Sequence, residues 1–165
     1  MKSYIRLIRA EYEEPRATHI LYAFYSCGHM CTGEMYIDKE SIIELANIFI
    51  GYPMGGSETR KFEIGTEDPV DRCDCHLLIE CKQINKTGRC GIALRWSNNR
   101  EFPYRKVHEF TIESEPHGLS ELGLGIKSYA NMRHVELLWD GNDVRLFEKA
   151  AQQGDAPERF APGDL

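Results

Sequence analysis

A chain of 165 residues, 42% hydrophobic and 28% charged, has the size and apolar content of one folded domain, which excludes a disordered or low-complexity chain. Its 26 acidic and 20 basic residues leave a formal charge of −6, which opposes the counterion release that nucleic-acid binders rely on, so a basic protein partner is expected and a nucleic acid is not. "MKSYIRLIRAEYEEP" meets Arg6 and Arg9 before a signal-length apolar run can form, and "SIIELANIFIGY" is broken by Glu44 and Asn47; a cytoplasmic protein with no membrane span is expected.

In chain order, Ile5 to Ile8 and Thr18 to Cys27 are rich in branched and aromatic residues and read as two strands, with Pro15 in the polar stretch between them. "GEMYI", Gly33 to Ile37, predicts a third strand ending at Asp38, whose side chain can cap the next helix; Ser41 and Glu44 offer a competing capping box. In that helix Ile42, Leu45, Ala46 and Phe49 share one face, widened by Ile43 and Ile48, and Gly51 and Pro53 end it. "GYPMGGSETR" is glycine-rich but lacks the Gly-Lys-Ser/Thr ending and the strand-to-helix setting of a phosphate loop.

The pattern is clearest in the next hairpin. Cys75, Leu77, Ile79 and Cys81 alternate with His76, Glu80 and Lys82, "NKTG" supplies the turn, and Cys90, Ile92, Leu94 and Trp96 alternate with Arg89, Gly91 and Arg95. Pairing Ile84 with Arg89 puts both apolar sets on one side and sets Cys81 diagonally near Cys90. The polar loop "SNNREFP" leads to a strand over Tyr104 to Glu113, and Glu115 and Pro116 open a second helix along Leu119, Leu122, Ile126 and Tyr129 that Gly118, Gly123 and Gly125 weaken. His134 to Trp139 reads as a closing strand, and "DGNDV" as a turn into a short amphipathic helix through Phe147. This order predicts a single α+β domain over 1–152, an antiparallel β-meander sheet of about five to seven strands with two main helices packed on one face, and a flexible C-terminal tail over 153–165.

Two clusters raise the question of chemistry. "SCGHMCTGE" and "RCDCH" hold Cys27, His29, Cys31, Cys73, Cys75 and His76, which are ligand types that zinc prefers. Their C-x3-C and C-x-C spacings differ from the tight knuckle of structural zinc sites, and in an extended strand Cys27, His29 and Cys31 stand about 6.5 to 7 Å apart unless a turn at Gly28 gathers them. Reduced, apolar cysteines are the simpler expectation, above all for Cys81 and Cys90 on the hydrophobic face. Cys27 with His29 or His76 satisfies the nucleophile-and-base criterion only as residue types. His108 alternates with Phe110 and Ile112 as a core histidine does, the glutamates at 109, 113, 115 and 121 isolate no catalytic pair, and "WDGNDV" ends too soon for a calcium loop. No catalytic, cofactor-binding or metal-binding residue is assigned, and no cofactor is expected.

The succession "GEMYIDKESIIELANIFIG", "KFEI", "CHLLIECKQINKTGRCGIALRW" and "HEFTIESEPHGLSELGLGIKSYA" resembles the WapI-like immunity type of small bacterial α+β protein. It matches over about Gly33 to Ala130: strand into helix, a meander with one strand ending Leu-x-Trp, and a last strand feeding a second helix. The resemblance implies a cytoplasmic protein that binds and neutralises a secreted toxin domain without catalysis. A noncatalytic bacterial binding protein is therefore the leading expectation. The alternatives are a zinc-binding module or metal-dependent enzyme built on the knots at 27–31 and 73–76, and an oligomeric structural protein joined through a sheet edge or the second helix.

Overall fold

The computed structural model describes residues 3–10, 17–53, 58–68, 73–85 and 87–148. Pro15, the centre of the glycine-rich loop, Arg72, Lys86 and the expected tail over 153–165 lie outside these residues. The architecture is α+β with antiparallel strands and two helices, as the sequence leads one to expect. The strands number nine among the described residues and divide into two sheets, where one sheet of five to seven was expected.

The first sheet contains β1 (Tyr4–Arg9), β2 (Thr18–Ser26), β3 (His29–Ile37), β8 (Glu136–Trp139) and β9 (Val144–Phe147), in the order β3-β2-β1-β8-β9. β2 and β3 form a hairpin whose two turn residues, Cys27 and Gly28, have φ of 51° and 88°. Positive φ at both positions gives the twist that matches a two-residue hairpin turn. β3 consequently starts at His29, four residues before the expected start at Gly33. Gly33 lies opposite Tyr22, and a Cβ there would collide with the Tyr22 hydroxyl; its role is to leave room for a ring, not to turn the chain. The expected helix through Phe147 is instead β9. Asp140 N donates to the Asp143 carbonyl at 3.2 Å, and Asp143 N donates to Asp140 Oδ1 at 3.1 Å, so the chain folds straight back along β8. Four residues are too few to nucleate a helix, while β8 offers a ready edge.

α1 (Lys39–Phe49) starts where Asp38 Oδ1 accepts a bond from Ser41 N at 2.8 Å, which selects Asp38 over the competing box. Ile42, Leu45, Ala46, Ile48 and Phe49 are buried, and Gly51 with φ of 67° turns the chain away. α2 (Pro116–Tyr129) packs along α1. Its glycines do more than weaken it. A Cβ on Gly123 would lie 2.8 Å from Ala46 O and 2.9 Å from Ile50 N, so glycine lets the two backbones approach.

The second sheet is a meander of β4 (Arg60–Ile64), β5 (His76–Gln83), β6 (Cys90–Ser97) and β7 (Val107–Ser114). Gln83 pairs with Cys90, and Ile84 N donates to Arg89 O at 2.8 Å, which is the expected register. Asn85 Oδ1 accepts from Thr87 N and Arg89 N, fixing the turn. Leu77, Ile79, Cys81, Cys90, Ile92 and Leu94 join the core, while Trp96 is only half-buried at its margin. β7 starts at Val107, not Tyr104, because residues 98–106 form an ordered loop of their own. α1 packs against β4 and β5, and α2 against β8 and β9. Trp139 closes the core, its Nε1 donating to Gly118 O at 3.0 Å. Among the described residues, no helix is long and apolar enough to cross a membrane.

Candidate functional site

One residue of each cysteine cluster lies within electrostatic range of the other. Cys31, on β3, and Cys75, just before β5, lie near enough for their charges to interact. The other members are dispersed. Cys27 is exposed at the hairpin turn, the His29 ring stacks near Phe110 of β7 at 6.1 Å, and Cys73 is exposed. Among the described residues no three His, Cys, Asp or Glu side chains come together in a way that could hold a metal ion. Nor does any hydrogen bond join Cys27 to His29 or His76 among those residues.

Thiol chemistry is not favoured at these two residues. Burial pushes the Cys31 thiol up to about 12, with the nearby Cys75 adding to it, and burial also raises Cys75, helped by Asp74 and Cys73. Such groups hold their protons at neutral pH, whereas a nucleophilic cysteine needs its thiolate stabilised. Cys81 is likewise pushed up to about 12 by burial.

His76 was expected on the solvent face of its strand with Glu80 and Lys82. It does point to that face, yet is only 5% exposed, because two carboxylates from outside β5 cover it. His76 Nε2 lies 2.9 Å from Glu63 Oε1 and Nδ1 lies 3.3 Å from Glu67 Oε1. Arg95 donates from Nε and Nη2 to the two Glu67 oxygens at 2.9 and 3.1 Å, and from Nη1 to Glu109 at 2.6 Å. Hydrogen bonding from His76, then from Lys61, holds Glu63 below the usual carboxylate value, and bonding from Arg95 does the same for Glu67. Carboxylates held ionised lack the proton that a general acid donates. This chain of side chains links all four strands of the second sheet and the segment after β4 across one outer face.

That face ends at the feature the sequence concealed. Residues 100–107 are all exposed, Phe102 by 92% and Tyr104 by 71%. The loop is nevertheless fixed. Asn98 N donates to Lys106 O at 3.1 Å, its Nδ2 donates to Tyr104 O at 2.9 Å, and its Oδ1 accepts from Lys106 N at 2.8 Å. Asn99, at φ of 49°, donates from Nδ2 to Thr66 O at 2.6 Å and Cys73 O at 3.0 Å, tying the loop to the segments on either side of 69–72. Pro103, next to Phe102 in the chain, lines a hollow of about 460 Å³ together with Asp74, Trp96, Asn98, Arg100, Tyr104 and Lys106. In the sequence "SNNREFP" passes for a polar connector; the one available signal was Phe-Pro-Tyr set among cations.

A second hollow, of about 510 Å³, lies at the opposite end of β6 and β7, lined by Glu113, Glu115, Asp140 and Asp143 together with Arg89. Arg89 reaches Glu113 at 3.5 Å and Glu115 at 3.9 Å. The two ends of one hairpin thus carry opposite character: aromatic and cationic at one, acidic at the other. Neither the known protein families nor the curated proteins contain a match to this chain.

Proposed function

We propose that the protein is a noncatalytic binding protein that engages another protein through the 98–106 loop. The observation that carries this reading is Phe102, 92% exposed on a loop whose backbone is held by the Asn98 and Asn99 side chains. An apolar ring left in water adds nothing to folding, while covering it with a partner contributes about 1.5–3 kcal/mol. A loop already ordered loses little entropy on docking. The resemblance to WapI-like immunity proteins gives this reading its specific form, neutralisation of a toxin domain in the bacterial cytoplasm. The charge of −6 suits a partner that is basic overall, with the acidic hollow adding to the attraction.

The test is coexpression with the product of the adjoining reading frame on the chromosome. Growth should be protected, the two proteins should elute as one complex, and Phe102→Ala with Tyr104→Ala should weaken both effects. Specific turnover by the purified protein, abolished by substitution of a cysteine or histidine, would overturn the reading.

A further inference from the structure

Within the 98–106 loop the balance of charge is the reverse of the global one, with Arg100, Arg105 and Lys106 against Glu101. Each other described cation of the four-stranded sheet and its loops has an acceptor: Arg60 the carbonyls of Asn47 and Ile50, Lys61 Glu63, Lys82 Glu80, Arg89 Glu113, Arg95 Glu67 and Arg105 Glu67. Arg100 and Lys106 are exposed, and neither side chain has a carboxylate within salt-bridge distance among the described residues. Both line the hollow with Trp96 and Tyr104, against a single carboxylate, Asp74. Elsewhere in the sheet the chain supplies its described cations with acceptors, carboxylates for all but Arg60; at the hollow that place is left to something else.

Resting on the reading of the loop as a docking surface, we infer that its partner presents an acidic protein surface here. Phe102 enters an apolar recess of the partner, and a partner carboxylate enters the hollow between Arg100 and Lys106, over Trp96 and Tyr104. Two observations favour a protein over other polyanions. The hollow places aromatic and cationic side chains beside one projecting ring, the composition of a protein-interface anchor. The charge of −6 repels a nucleic acid or an anionic bilayer over their full extent, but a single carboxylate is governed by the few ångströms around it. A partner basic overall can carry such a patch, so steering and anchoring are divided between different parts of the surface.

The experiment follows Trp96 in proton–nitrogen correlation spectra, using the Trp139 indole, buried and bonded to Gly118, as an internal reference. The titrants are a capped peptide of alternating glutamate and leucine, its lysine counterpart, oligothymidylate and phosphatidylserine vesicles. The glutamate peptide is expected to shift the Trp96 indole and Asn98 amide signals without moving Trp139. Added salt should weaken its binding, and Arg100→Glu with Lys106→Glu should weaken it about tenfold or more. Equal shifts with the lysine peptide, no shift with the glutamate peptide, or shifts produced only by oligothymidylate or vesicles would overturn the inference. So would sedimentation showing self-association that Phe102→Ala abolishes, because the occupant would then be a second copy. The two readings fail separately. If Phe102→Ala breaks the coexpressed complex but the glutamate peptide is inert, only the acidic chemistry fails; if the complex survives Phe102→Ala, the docking loop itself is wrong.

Discussion

β6 and the loop that leaves its end are neighbours in the chain and opposites in burial. Ile92 and Leu94 are sealed in the core, whereas Phe102, eight residues beyond Leu94, is 92% exposed. Both regions are well ordered, but by different means. β6 is ordered by apolar packing between two hydrogen-bonded strands, the loop by the amides of Asn98 and Asn99 gripping backbone. Packing leaves few chemical choices for a side chain, while backbone gripping leaves the neighbouring side chains free to be selected for something other than stability. The large aromatic residues of the loop are therefore where function can be sought.

The sharpest way to break this contrast is to truncate each region and compare. Leu94→Ala should lower stability by about 2–5 kcal/mol, as loss of a buried leucine does, read as a fall in the urea midpoint. Gly123→Ala tests the interior from the opposite direction. Alanine is the better helix former by about 1 kcal/mol, yet two of the three nearest atoms to its new methyl are backbone atoms of α1 and of Ile50, which caps its C-terminus, so the helices must separate. A net loss of about 1–3 kcal/mol is expected, in the range of overpacking, and a gain in stability would show that the seam is looser than described.

An intermediate effect belongs to the outer face. The Glu63 and Glu67 carboxyls lie below the ordinary value of 4.5. A carboxylate with a depressed folded value contributes stability that is fully present above the unfolded value and lost as pH falls through the folded one. Unfolding followed from neutral pH to below 4.5 should therefore show stability declining with acid, less steeply in Glu63→Gln with Glu67→Gln. An unchanged acid slope would remove the network from the account of stability. The smallest effect is reserved for the loop: Phe102→Ala should change stability by no more than about 0.5 kcal/mol, as surface substitutions do. A cooperative loss well beyond that would mean Phe102 packs in solution, and the contrast would collapse.

What the sequence made legible was whatever depended on near neighbours. Alternation together with "NKTG" specified the β5–β6 register down to the Ile84–Arg89 contact, and Asp38 marked the start of α1. Features set by distant partners were hidden. The reason for Gly123 lies in Ala46 and Ile50, the reason for Gly33 lies in Tyr22, and β9 is a strand only because β8 is there to receive it. The turn at Gly28 was legible, but not that it is confined to Cys27 and Gly28 with β3 resuming at His29, because cysteine is an unusual occupant of a positive-φ turn position, for which asparagine or aspartate is the familiar signal. The candidate site was hidden for a further reason. Alternation and helical period report what is buried, and the loop's defining property is that it is not.

Asn99 joins two demands that rarely fall on one residue. Its backbone is left-handed, and its amide nitrogen holds the carbonyls of Thr66 and Cys73. Glycine would accept the backbone but hold nothing; aspartate would tolerate the backbone but has no donor; glutamine has the donor but a poor fit to the conformation. Among the twenty side chains the position is thus close to monogamous. In a collection of variants selected for a working loop, it should be among the last to drift, while exposed Phe102 and Tyr104 change together with whatever they meet.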